Sequence, residues 1–317
     1  MAELILLVGV FVGVYFLIRN IVAGKRCKSK VELHGKTVIV TGSNTGIGRE
    51  TAVDLARRGA RVILACRSVV RGEAAVAIVK RESQSSNVVF MQLDLASLKS
   101  VRSFAETFLK TEKRLDILIN NAGVIMQGTT EDGLGLMFGV NHIGHFLLTN
   151  LLLDRLKECA PSRVVTVSSM CHDSGNLDFN LLNAHKEFGT GNSMMDVFDI
   201  YGNSKLCNVL FTHELAKRLQ GTGVTCYSLH PGAINSELTR SVQPLFKKLL
   251  KVIGALFFKD AESGAQTTLY CALQEGIEGL SGQYFSNCGV KKVRPKARDD
   301  AVAKKLWEVS ETFCGLA

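Results

Sequence analysis

Thr37-Val38-Ile39-Val40-Thr41-Gly42-Ser43-Asn44-Thr45-Gly46-Ile47-Gly48 decides how this chain folds. Its first five residues are all β-branched, which favours an extended strand. The run from Ile47 to Arg58 places Ala52, Val53, Leu55 and Ala56 on one helical face and ends at Gly59. Two glycines, Gly42 and Gly46, lie between strand and helix, and a third, Gly48, is in the helix's first turn. Glycine permits positive φ and close backbone approach, and the helix start offers free N–H groups and a partial positive charge. Strand, glycine turn and helix in this order predict a pyrophosphate cradle from Gly42, Ser43, Asn44, Thr45, Gly46, Ile47 and Gly48. The spacing is not G-x-G-x-x-G. It is not a P-loop either, because Ile47 stands where the second glycine would be and no Gly-Lys-Ser/Thr follows.

Outward from this turn, strand-like runs recur at Arg61 to Ala65, Val88 to Gln92, Asp116 to Asn120, Arg163 to Ser168 and Val224 to His230, with helical patterns between them. The alternation predicts an α/β fold: a Rossmann-type, doubly wound parallel sheet in a single domain. In such sheets ligands bind outside the carboxyl ends of the strands. Residues just after each strand are therefore the candidates for chemistry.

Composition narrows the class. The chain has 317 residues, 46% hydrophobic and 4 prolines, enough for a full core and without a proline-rich linker. Its 9 cysteines are scattered with no C-x-x-C pair, which predicts reduced thiols rather than a disulfide framework, and no metal site. The formal charge of +9 is spread along the chain without a recognition motif, so no nucleic-acid partner is expected. Solvated helix faces and a membrane surface account for it.

From Leu4 to Ile18 the sequence carries no charge, and continuing past Arg19 and Asn20 to Ala23 brings it to about bilayer length. Glu3 precedes the segment, whereas Arg19, Lys25, Arg26, Lys28 and Lys30 follow it. This asymmetry predicts a retained N-terminal membrane-anchor helix over 1–24, a basic juxtamembrane linker over 25–35 and a catalytic domain over 36–317 facing the cytosol.

After the second strand come Cys66-Arg67-Ser68, where a site for NAD would place an acidic residue on the ribose 2′-OH. The Arg67 guanidinium suits a 2′-phosphate instead, which favours NADP(H). Further on, Tyr201-Gly202-Asn203-Ser204-Lys205 opens an amphipathic helical segment with Tyr201 and Lys205 on one face. A lysine charge there favours the phenolate and would draw an acid of ordinary pKa about 10 toward working pH. Ser168-Ser169 ends the fifth strand and offers a hydroxyl to a reacting oxygen.

These motifs, in this order, resemble the short-chain dehydrogenase/reductase family from about Lys36 to the C-terminus. Leu64-Ala65-Cys66-Arg67, Asn120-Asn121-Ala122-Gly123-Val124, Gly139 to Phe146 and Ser228 to Gly232 are most similar to the microsomal retinol dehydrogenases that reduce retinal with NADP(H). The resemblance implies Asn141, Ser169, Tyr201 and Lys205 as the catalytic set, with Asn141 organising a proton relay through the lysine. It takes Ser169 over Ser168, borders the adenine with Asp94 and Leu95, and lays Asn121, Ala122 and Gly123 along the cofactor. Tyr201 and Lys205 also touch the cofactor, and Pro231 and Gly232 lead to the nicotinamide. The implied substrate is an apolar, retinoid-like alcohol or aldehyde; a homodimer is left open, and the implied site is the endoplasmic reticulum membrane, single-pass. The segment from Ser169 to Tyr201 is longer than the family's usual one and contains Gly189 to Ser193, a turn. A reductase of steroid ketones or lipid-derived aldehydes, and a catalytically idle NADP-binding membrane scaffold, are the competing readings. Pro244 to Phe258 mixes lysines with large apolar residues and is expected to cover the substrate and touch the membrane.

Overall fold

The strand at Thr37–Thr41 (β1) is buried at every position, and its alternate side chains enter two different cores. Ile39 faces one core, whereas Val38 and Val40 face the other. A strand covered on both faces reads as a continuous apolar run, as this one does.

The computed structural model describes Tyr15 and residues 19–191, 193–234 and 258–317. The predicted anchor therefore lies outside the described residues apart from Tyr15 and the stretch from Arg19 onward; of the Pro244 to Phe258 segment only Phe258 is described. From β1 the chain alternates as expected. It runs through α1 (Gly46–Arg57), β2 (Arg61–Cys66), α2 (Val69–Ser83), β3 (Val88–Gln92), α3 (Leu98–Thr111) and β4 (Ile117–Asn120). A turn of helix at Leu136–Phe138 and a π-helical turn at Gly139–Ile143 lead into α4 (Gly144–Glu158), followed by β5 (Ser162–Val167) and α5 (Phe179–His185). Then come α6 (Met194–Arg218), β6 (Val224–His230), α7 (Ala261–Leu273), β7 (Tyr284–Ser286), β8 (Gly289–Val290) and α8 (Asp300–Cys314).

The eight strands form one sheet in the order β3-β2-β1-β4-β5-β6-β7-β8. All neighbours are parallel except β7 and β8, a short antiparallel edge that the sequence reading did not include. Strand order reverses between β1 and β4, so the crevice lies at their carboxyl ends. Helices α1, α2 and α7 cover one face, and α3, α4 and α6 the other, with α8 packed outside them. Trp307 of α8 lies edge-on to Phe146 at 4.8 Å and stacks on Phe211 at 5.8 Å. Burying such side chains contributes roughly 2–3 kcal/mol each.

One close approach shapes the crevice. A Cβ on Gly144 would lie 2.6 Å from the Leu95 carbonyl oxygen, so glycine lets the loop after β3 cross α4. Among the described residues, Leu136–Glu158 is the one helix long and apolar enough to span a bilayer, yet 78% of it is buried inside the domain. It is a core helix.

Residues 25–35 pack on the domain. Arg58 donates to the Ser29 and Val31 carbonyls at 2.9 and 3.0 Å, and Cys27 N donates to Gln266 at 3.0 Å. Arg19 donates to the Phe258 carbonyl at 2.8 Å.

Candidate functional site

The glycine turn after β1 has the shape its sequence implied. Gly42 and Gly46 adopt φ of +65° and +57°. A Cβ on Gly42 would lie 2.8 Å from the Ala122 Cα, and one on Gly48 2.5 Å from Asn121 Nδ2, whereas one on Gly46 would meet nothing. The first and third glycines thus bring two loops together, and the middle one leaves an open approach. Ser43 turns inward, donating to the Val40 carbonyl at 2.8 Å. Thr45 caps α1 without a side-chain hydrogen bond, and the first turn holds no acidic residue. Uncapped N–H groups in an open, unshielded N-terminal turn fit a pyrophosphate.

At the end of β2, Arg67 is exposed, and its carbonyl accepts from Gln92 Nε2 at 3.2 Å. Ser68 caps α2 by accepting from Arg71 N at 3.4 Å. Asp94 closes a local turn, accepting from Ala96 N at 3.0 Å, and Leu95 is buried under α4. At the far side of the crevice, Gly232 adopts φ +101° and donates to His230 Nδ1 at 3.0 Å beside the half-buried Lys259. Pro231 precedes it, and residues 235–257 lie outside the described residues.

The loop after β4 is tied down by a residue the sequence reading left unassigned. The Thr41 hydroxyl accepts from Asn121 N at 2.9 Å and Ala122 N at 3.0 Å and contacts His145 Nε2 at 2.9 Å. His145 Nδ1 reaches the Asn141 carbonyl at 3.2 Å, and a carbonyl only accepts, so that nitrogen carries the proton and Nε2 accepts from Thr41. Burial and the nearby Lys205 charge fit this neutral ring; its pKa is pushed down to about 3 by burial first and by Lys205 after it. Thr41 stood inside the glycine motif, and His145 inside Gly139 to Phe146, so a hydroxyl ending β1 was the available signal.

Asn141 occupies the π-helical turn and is fully buried. Its Oδ1 accepts from Val124 N at 2.8 Å, and its Nδ2 donates to the Val124 carbonyl and to Ser204 Oγ, each at 3.0 Å. Ser204 in turn donates to the Tyr201 carbonyl at 2.7 Å. Gly123 lies between Asn141 and Lys205: a Cβ there would sit 3.2 Å from Lys205 Nζ and 3.4 Å from Asn141 Oδ1.

Tyr201 and Lys205 share a face of α6, with the ammonium 5.6 Å from the ring centroid. Both are nearly inaccessible, at 6% and 3% exposure. Lys205 donates to the Val167 carbonyl at 3.1 Å, and an ammonium carries two further N–H donors, enough for a diol such as a ribose. Burial pushes its pKa down to about 8. The expected lowering of the Tyr201 pKa is not found: burial raises it above the ordinary range, and a hydrogen bond with the Ser169 side chain only partly offsets this. Desolvation outweighs the lysine field, because a buried phenolate loses its hydration. Two further expectations change. Helix α6 begins at Met194, ahead of Tyr201, under a Ser193–Asp196 capping box, and from Ile200 to Thr212 it is buried all round rather than amphipathic. Both serine hydroxyls are placed. Ser168 Oγ donates to the Lys205 carbonyl at 2.7 Å, whereas Ser169 is half-buried, accepts from Cys171 N at 3.2 Å and acts on the Tyr201 phenol, lowering its pKa against the effect of burial.

The long stretch from Ser169 to Tyr201 folds onto the loop after β4. Gly135 N donates to the Lys186 carbonyl at 2.9 Å, Phe138 N to Glu187 Oε2 at 3.3 Å, and Gln127 to the Gly191 carbonyl. Phe188 meets Phe138 edge-on at 5.2 Å. A cavity of about 310 Å3 between them is lined by Met126, Leu136, Met137, Glu187 and Ile200, the last adjacent to Tyr201. Among the described residues no cluster of metal-ligating side chains occurs.

Residues 36–195 match the model of the family described as short chain dehydrogenase. Over its whole length the chain is 54% identical to "Dehydrogenase/reductase SDR family member 13" of Bos taurus, covering 83% of that protein. It is 52% identical to "Retinol dehydrogenase 12" of Homo sapiens, over 94% of this chain and 92% of that one. A solved structure of an uncharacterised protein from Mycobacterium paratuberculosis is similar at a TM-score of 0.72 and 35% identity, over 92% of this chain and 98% of that one. Identity at this level over nearly the full length accounts for the order of motifs and for the sheet they sit on. The chain belongs to the short-chain dehydrogenase/reductase family, oxidoreductases that bind a nicotinamide cofactor.

Proposed function

We propose that this oxidoreductase interconverts an apolar alcohol and its aldehyde with NADP(H), that retinol and retinal are its substrates, and that reduction is the favoured direction. The arrangement of Tyr201, Ser169 and Lys205 around one crevice carries the reading. When bound, the nicotinamide supplies or accepts hydride at the substrate carbon. The chain's own residues do the rest. Ser169 Oγ holds the substrate oxygen next to the Tyr201 phenol. Because burial keeps that phenol protonated, it is a proton donor to the carbonyl oxygen as reduction proceeds; the reverse path needs the proton returned. Lys205 would hold the cofactor ribose with its remaining N–H donors, and its ammonium stands 5.6 Å from the Tyr201 ring centroid. Asn141, through Val124 and Ser204, fixes the wall behind the pair. Gly42 to Gly48 would take the pyrophosphate, Asp94 and Leu95 would border the adenine, Asn121 to Gly123 would lie along the cofactor, and Pro231 and Gly232 would lead to the nicotinamide.

Arg67 supports NADP(H): an exposed guanidinium follows β2 where a ribose-binding carboxylate would otherwise stand. The uncharged run from Leu4 to Ile18 with its basic trailing side supports a single-pass anchor over 1–24, a 25–35 linker and a cytosol-facing domain over 36–317, placed at the endoplasmic reticulum. The substrate is supported by the 52% identity to a protein named retinol dehydrogenase. The packed stretch from Met170 to Ile200, with Glu187 in the cavity wall, favours testing oxygenated apolar carbonyls beside it.

The deciding experiment is turnover of all-trans-retinal by detergent-solubilised full-length protein with NADPH and NADH. Retinol formed with NADPH, about 10²–10⁴-fold slower in Tyr201→Phe, supports the reading. Turnover of steroid ketones or lipid aldehydes but not retinal redirects the substrate; NADPH binding without turnover of any of them leaves a scaffold.

A further inference from the structure

Ser169 leaves β5 in an extended conformation, φ −152° and ψ 160°, and its hydroxyl can face the crevice only if this peptide is held. Two side chains converge on its carbonyl oxygen. His172 Nδ1 lies 2.6 Å from it and the Tyr284 hydroxyl 3.3 Å. Their rings touch, with centroids 4.6 Å apart, and both are buried at 1% and 2% exposure.

The donors are defined by chemistry. A carbonyl only accepts, so His172 carries its proton on Nδ1, and burial lowers its pKa and keeps the ring neutral. Burial raises the Tyr284 pKa, so the phenol keeps its proton and donates. The two residues arrive from opposite directions in sequence. His172 belongs to the helical turn directly after Ser169, whereas Tyr284 sits on β7 in register with Ser228 of β6. The β7 pleat sends Phe285 to the other face, edge-on to Tyr227 at 5.5 Å, and thereby aims Tyr284 at Ser169. His230, whose Nδ1 accepts from Gly232 N, also stacks with Tyr284, ring centroids 6.5 Å apart.

We propose that Tyr284 and His172 are positioning residues for the reaction, a two-donor clamp on the Ser169 carbonyl that sets where the Ser169 hydroxyl points relative to Tyr201. Neither touches the reacting atoms. The inference rests on the proposed role of Ser169, and it assigns a function to the edge strand β7 beyond completing the sheet. Reaction rates are steep in the placement of a hydroxyl that must stabilise a developing charge.

Tyr284→Phe removes one hydroxyl and keeps the ring, so it tests the clamp with little risk to folding. We expect single-turnover reduction with NADPH to slow roughly 3- to 10-fold, with thermal midpoint and NADPH affinity as in wild type. The decisive comparison is the same substitution in a Ser169→Ala background, where it should slow the reaction no further, because the serine through which it acts is gone. An equal fractional loss in both backgrounds, or no loss in either, overturns the clamp while leaving the catalytic set intact. A wild-type rate in Ser169→Ala alone overturns the serine's proposed role and the clamp with it.

Discussion

At the scale of the residue, Lys205 shows burial and charge in opposition. Its pKa falls from 10.5 to about 8 because α6 takes the ammonium out of water, while its neighbours are uncharged apart from distant groups. The native state therefore binds fewer protons than the unfolded chain between those values, so this group's destabilisation is full below pH 8 and fades as pH rises toward 10.5. Lys205→Met should stabilise the cofactor-free protein at pH 7 by on the order of a few kcal/mol, and the gain should vanish near pH 10.5 while cofactor binding is lost. Denaturant unfolding across pH, with dinucleotide titration, checks both. Arg67 is the converse case, exposed and charged. Arg67→Ala should lower kcat/KM for NADPH about 10- to 100-fold, as loss of a charged hydrogen bond does, and leave NADH turnover nearly unchanged. The identity of these two residues was legible in sequence; the direction of the Tyr201 shift was not, because motif spacing carries no information on desolvation.

At the scale of the element, the segment from Met170 to Ile200 reads as a loop with a glycine turn and is largely ordered by contacts it cannot announce. Glu187 closes it against the start of the helix at Leu136–Phe138, accepting from Phe138 N and Phe188 N, and burial raises its pKa from 4.5 to about 7. Here the folded pKa is the higher, so stability is complete below pH 4.5 and falls as pH rises through about 7. Glu187→Gln should flatten that slope in unfolding measured between those limits, and retain activity at pH 6. Where helix crosses loop, Gly144→Ala should cost roughly 1–3 kcal/mol, because its Cβ would meet the Leu95 carbonyl oxygen at 2.6 Å. Thermal unfolding measures it. The strands from β1 to β6 were readable from β-branched runs to within a residue or so; β7 and β8 are too short, at Tyr284–Ser286 and Gly289–Val290, to leave a period.

At the scale of the whole molecule, the proposed anchor and the catalytic domain make separable predictions. Deleting residues 1–18 should move the protein from a carbonate-washed membrane pellet to the soluble fraction while leaving the domain's unfolding free energy within about 1 kcal/mol, because Arg19 and the packed 25–35 stretch remain on the domain. Retention in the pellet would mean that another surface holds the membrane. The sequence by itself determined the α/β alternation, the glycine turn, the family and which residues carry hydroxyl, phenol and ammonium, because backbone preference and motif order are local properties of the chain. Only the tertiary structure decided which serine donates inward to Lys205 and which acts on the Tyr201 phenol, that Thr41 and His145 hold the loop after β4, and that Tyr284 reaches Ser169. Those relations join residues from strands and helices far apart in the chain, and packing alone brings them within a hydrogen bond and sets the desolvation that fixes their protons.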